Sequence, residues 1–281
     1  MRPDLVSRST AVVMLLAVLL VAPGAAEAAK YDLKLSRLAF SDGSKIPGAD
    51  RYFAGLMGDL AAVLAPRFLG PATTAGSLGF QVDLDYSFTD IQESADRWQA
   101  VMREPGNANA EGAHSILHAL QVHVRKGLPF STEVGGTFTK LINSDLWGIG
   151  LELKVTPIEG FRKMPEVGIR ASVNTFLGAN DYSLLTATAD MIISKEIGIA
   201  GLFKLSPYLG YAFQYAYANS NVVTVFNPAG SSSPITFDTA NVFMHYGILG
   251  FQIVAVVFNT GFEAALSGDV QSYAFRIGVD F

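Results

Sequence analysis

The carboxyl-terminal segment Tyr273-Ala-Phe-Arg-Ile-Gly-Val-Asp-Phe281 alternates between large apolar residues and small or charged ones. Successive side chains of a strand point to opposite faces, so Tyr273, Phe275, Ile277, Val279 and Phe281 share one face. Arg276 and Asp280 share the other. A strand that is oily on one side and ionic on the other suits a sheet with lipid on its outside and water within.

The amino terminus points to the same compartment. Arg2 and Arg8 precede an apolar run from Ala11 to Val21, followed by Pro23-Gly24 and Ala26-Glu27-Ala28. That order is the pattern of a secretory signal, with cleavage expected after Ala28. The run is roughly half of the ~20 residues that a spanning helix needs. The chain has no cysteine, which removes both a lipidated-cysteine anchor and a disulfide framework. Half of its residues are hydrophobic, and mean hydropathy is +0.31. Beyond the signal, however, no stretch is long enough for a membrane helix. The apolar residues are dispersed in alternation, as in lipid-facing strands. A net charge of −5 argues against a nucleic-acid partner.

The alternation recurs along the chain. From Leu78 to Thr89, Leu78, Phe80, Val82, Leu84, Tyr86 and Phe88 oppose Gly79, Gln81, Asp83, Asp85, Ser87 and Thr89. Leu146 to Val155, Pro165 to Asn174 and Val254 to Leu266 repeat it, the last placing Val256, Phe258, Phe262 and Ala264 on one face. His118 to Arg125 is a shorter case. Ser131–Leu141, Tyr182–Ser194, Phe203–Tyr217 and Val242–Ile253 are strands with imperfect alternation. With the terminal strand the number is ten, eight and twelve being the alternatives; single-chain bacterial barrels have an even number.

The signal, the alternating strands and the terminal phenylalanine resemble bacterial outer-membrane β-barrel proteins over roughly Ala75 to Phe281, with no narrower family indicated. The resemblance implies an all-β fold: a transmembrane antiparallel up-and-down barrel in the outer membrane, bathed in its lipid. It also implies that the barrel-assembly machinery recognises the last strand, ending at Phe281. The longest connections, near Asp90–Ala113 and Ala218–Ala240, then fall on the extracellular side, and the short ones fall on the periplasmic side. Trp147, Tyr182 and Tyr273 at outer strand ends, with Phe130 and Phe281 at inner ends, are candidates for the two aromatic girdles.

Between Tyr31 and Ala75 the period changes. Phe53, Leu56, Met57, Leu60 and Leu64 recur at helical spacing after Pro47-Gly48 and before Pro66, which predicts an amphipathic helix of about four turns. Residues 1–28 are thus expected to be a signal peptide, 29–75 a periplasmic leader and 76–281 the barrel; the leader helix is expected to cover the barrel's inner mouth, with plugging the lumen or lying along the inner-leaflet interface as the alternatives.

The residues predicted to face inward carry both charge signs: Asp83, Asp85, Gln121, His123, Arg125, Glu133, Glu152, Lys154, Glu166, Arg170, Asp190, Glu263, Arg276 and Asp280. Charges shielded from lipid are tolerable when they pair across a narrow lumen. Ten strands leave a narrow or occluded path, because about eight are already filled by side chains and open channels need about sixteen. Four histidines without cysteine show no metal-ligand spacing, and no cofactor is expected. The Asp83-x-Asp85 pair is compatible with acid/base chemistry. His114, His118 and His245 lie toward the outer side without an Asp-x-His companion. The functional expectation is a narrow channel or structural barrel with long outer loops, its solute or surface ligand undetermined. A surface adhesin or receptor-like barrel is the alternative, and a hydrolase resembling omptins or lipid A deacylases is a more distant one.

Overall fold

The computed structural model describes residues 33–65, 67, 70–92, 95–102, 115–160, 164–226, 232–268 and 270–281. The expected signal segment and His114 lie outside them. Ten antiparallel strands build the wall: β1 Phe80–Asp90, β2 Ile116–Leu128, β3 Thr132–Leu141, β4 Trp147–Glu159, β5 Glu166–Leu177, β6 Tyr182–Ser194, β7 Phe203–Ser220, β8 Ala240–Ala255, β9 Phe258–Leu266 and β10 Gln271–Asp280. Each pairs with its sequence neighbours, and β10 pairs with β1, from Gln81 against Asp280 to Asp90 against Gln271. Closure leaves the ten-stranded wall without a free edge, as hydrocarbon surroundings demand.

The long connections, 91–115 and 221–239, leave the same end of the barrel, which is therefore taken as the outer end. Strands β7 and β8 are the longest, and between them a hairpin of Val223–Phe226 and Ser232–Ile235 folds over the mouth. One expected boundary moves. Val256 is not in a strand; it sits in the β8–β9 turn with φ 60°, so β9 starts at Phe258. Nothing in the residue types marks that turn, because a β-branched residue is a poor occupant of the left-handed region.

The leader lies inside the barrel rather than outside it. Helix α1, Ala49–Leu64, occupies the outer part of the lumen and touches β1, β2, β5, β6, β7 and β8. Phe53, Leu56, Met57, Leu60 and Leu64 are all buried. Burying these five apolar side chains is worth on the order of 10 kcal/mol, at about 2 kcal/mol each. Their partners are inward-facing apolar residues of the wall, including Leu117, Leu141, Phe176 and Leu184. Gly58 allows the close approach, since a Cβ there would stand 3.3 Å from Val242 Cγ1. After α1 the chain descends as a strap to the inner end, where it turns into β1.

Candidate functional site

The two faces of the wall follow from strand parity. Outward, Leu151 is 73% exposed and Ile277 61%. Inward, the wall is apolar around α1 and ionic below it. A closed cylinder with an apolar exterior is stable only with hydrocarbon around it. This is an integral barrel of the outer-membrane type.

The core of the ionic layer is one connected network. On β10, Arg276 donates to both oxygens of Asp85 at 2.7 and 2.9 Å and lies 3.2 Å from Asp83 Oδ2, both on β1. Its Nη2 reaches His123 Nδ1 on β2 at 3.1 Å, and Arg125 reaches the same nitrogen at 3.0 Å. Its Nε2 lies 2.8 Å from Glu152 of β4 and 3.2 Å from Arg125 Nε, so the ring joins β1, β2, β4 and β10. Glu152 also accepts from Arg125 at 3.0 Å and from Arg170 of β5 at 3.2 Å. Arg170 in turn binds Asp190 of β6 at 2.7 Å. On β3, Glu133 pairs with Lys154 at 3.0 Å. Tyr208 of β7 donates to Glu263 of β9 at 3.1 Å, and Glu166 accepts from Ser194 at 2.6 Å. These groups are all buried, so each charge depends on its partner and removing one member strands the other.

Above this layer, a cap closes the outer mouth. A second helix, α2 (Asp96–Met102), folds out of the connection after β1. Asp59 of α1 accepts from Arg97 Nε at 2.8 Å and from the Trp98 indole N–H at 2.6 Å. Phe237 stacks on Phe53 with centroids 5.5 Å apart. Lys45 bonds Asp50 at 2.6 Å, and Asp50 accepts the N–H of Asp238. Burial alone pushes Asp50 up; the Lys45 and Asp238 donors outweigh it and hold the carboxyl below its usual range.

At the inner end a cavity of about 610 Å³ opens beneath the strap, between Arg125, Glu133 and Lys154 on one side and Phe203, Val254 and Phe281 on the other. The strap itself is gripped from the wall. Arg170 donates to the carbonyl of Arg67, Lys154 to that of Thr73, and Glu133 accepts the N–H of Ala75.

Twelve of the charged residues expected in the lumen are buried there: Asp83, Asp85, His123, Arg125, Glu133, Glu152, Lys154, Glu166, Arg170, Asp190, Glu263 and Arg276. Asp280 lines the inner cavity and accepts from Asn259 at 2.7 Å. Among the girdle residues, Trp147 faces out against Phe138 with Lys140 over its ring, and Tyr273 faces out against Phe88. Phe281 is at the inner end, hydrogen-bonded through its backbone to Phe80. Phe130 is in the β2–β3 turn, 94% exposed. Tyr182 does not belong to the girdle: it shares the inward parity of Asp190 and packs into the apolar cluster around α1.

His118 and His245 stand on β2 and β8. Both face outward, each bonded to a tyrosine hydroxyl of the neighbouring strand, Tyr86 at 2.8 Å and Tyr211 at 2.7 Å. The described part of the connection after β1 belongs to the cap, with Trp98 fully buried. Residues that sequence reasoning missed include Asp59, Arg67, Tyr208 and Gln214. Tyr208 was legible, because Ser206, Gly210 and Gln214 fix the inward parity of β7. Asp59 and Arg67 were not, because their roles arise only once the leader is inside the wall.

No family model and no curated protein matches the chain. Among solved structures it is similar to Ail, the attachment invasion locus protein of Yersinia pestis (11% identity, 73% of this chain and 99% of that one, TM-score 0.27). It is likewise similar to the translocator domain of autotransporter NalP from Neisseria meningitidis (9%, 83% and 99%, TM-score 0.38). A third is the outer membrane protein Omp33 of Acinetobacter baumannii (8%, 74% and 100%, TM-score 0.29).

Proposed function

We propose that this chain, once freed of residues 1–28, is a structural barrel of the outer membrane whose lumen is sealed at rest and whose working surface is the cap at its outer mouth. The observation that carries this reading is the path of the leader, with α1 in the outer part of the lumen and the strap crossing the ionic layer below. A solute would have to displace both. The terminal strand β10, zipped to β1 through paired Phe80 and Phe281 backbones, is the segment for the assembly machinery to recognise.

Catalysis fits poorly. Asp83 and Asp85 are both committed to Arg276, and His118 and His245 are turned to the lipid side. A surface-binding role has support of its own, since Val222 and Phe226 project from the cap while their neighbours Val223 and Val225 are buried. Planar-bilayer recording of the purified protein tests the sealed lumen. No steps above the bare bilayer are expected, and regular conductance steps from the intact chain would overturn it. Loss of surface attachment on deleting 223–235, with the barrel still heat-modifiable, would establish the binding role.

A further inference from the structure

The wall holds the strap by its main chain. Ser194 Oγ accepts the N–H of Ala72 at 2.9 Å, and Thr156 donates to the carbonyl of the same residue. Lys154 Nζ donates to Thr73 O at 2.9 Å, Glu133 Oε2 accepts Ala75 N–H at 3.0 Å, and Arg170 donates to Arg67 O at 2.9 Å. Five side chains from β3, β4, β5 and β6 thus bind backbone groups of Arg67, Ala72, Thr73 and Ala75, none of which belongs to a helix or strand. The segment is built of small residues, Gly70-Pro-Ala-Thr-Thr-Ala75. The wall makes room for it: at Gly168 on β5 a Cβ would stand 3.0 Å from Ala72 O and 3.1 Å from Ala72 Cα.

Side chains that pair with N–H and C=O groups read a polypeptide without reading its sequence, as sheet edges do. We infer that the inner lumen is a binding track for a non-helical polypeptide segment of small residues, recognised through its backbone, and that the strap is its built-in occupant. The inference rests on the sealed-lumen reading, since the strap is what fills the passage. It adds what the passage binds.

The test begins with a protease site inserted between Ser77 and Leu78, which are exposed at the inner mouth. Cleaving the folded full chain leaves residues 29–77 seated without a covalent tie. A fluorescent synthetic peptide of residues 33–77 is then exchanged in and followed by anisotropy. Uptake is expected, and a peptide N-methylated at Ala72, which cannot donate to Ser194, should compete about three- to tenfold more weakly. A peptide with both Thr73 and Thr74 replaced by alanine should compete as well as the natural one. Equal competition by the N-methylated peptide, loss on the threonine changes, or no uptake would overturn the inference.

A second arm uses the intact chain. Gly168→Val should expel the strap, making residues 67–75 cleavable by added protease while the barrel stays heat-modifiable; continued protection would count against the track. Conductance by the intact protein together with normal peptide competition would sink the sealed lumen but leave the track standing.

Discussion

Replacing Arg170 by methionine tests how far the ionic layer holds the barrel together. Arg170 binds Asp190 at 2.7 Å, Glu152 at 3.2 Å and the carbonyl of Arg67 at 2.9 Å. Glu152 keeps Arg125 and His123 after the change, but Asp190 is left buried, with its Oδ1 already lacking a hydrogen-bond partner. Breaking a buried pair from one side costs about 3–5 kcal/mol. Losing the strap contact adds about 1 kcal/mol. A net loss of about 5 kcal/mol, divided by a urea slope of about 2 kcal/mol/M, lowers the unfolding midpoint by about 2.5 M. Equilibrium unfolding in detergent micelles, followed by the boiled-versus-unboiled gel shift, measures it. The double change Arg170→Met with Asp190→Leu removes the stranded charge and should recover most of the loss. An Arg170→Met midpoint within about 0.5 M of the parent would refute the argument that unpaired charge, rather than packing, sets the cost.

Other expectations concern the leader and its cap. Cysteines placed at Gly58 and Val242 in this cysteine-free chain should form a disulfide on mild oxidation, seen as a mobility change on gels; no cross-link would place α1 elsewhere. Asp59→Ala removes the acceptor shared by Arg97 and Trp98 and should cost about 2–3 kcal/mol, with a red shift of Trp98 emission as α2 loosens. Acid should weaken the cap. Because Asp50 is held below its usual range in the folded state, its contribution is present above about pH 4 and lost as pH falls through the folded value. Limited proteolysis of the cap between pH 6 and 2 should show this, and Asp50→Asn should flatten the profile.

Much of the wall was legible in the residues, because alternation is a local property: the backbone of a strand sends each side chain to the face opposite its neighbour, whatever the partners are. That is why the parity of Asp83, Glu152, Arg170 and Arg276 could be read before any contact was known, and why ten strands and their long and short connections emerged together. The same locality explains the failures. Leu184 and Leu185 are both apolar, yet one is buried against α1 and the other faces lipid. The imperfect alternation of β6 is therefore the imprint of a helix lying inside the barrel, visible as such only when the helix is in place. An amphipathic helix specifies that it must bury one stripe, not which surface it meets, so its pattern also suits a cover for the inner mouth, the placement expected from the sequence. Period and polarity, carried by neighbouring residues, determined the strands and their two faces. Closure of β10 on β1, the passage of the leader through the lumen and the pairing of each charge join residues far apart in the chain, and only the tertiary structure decided them.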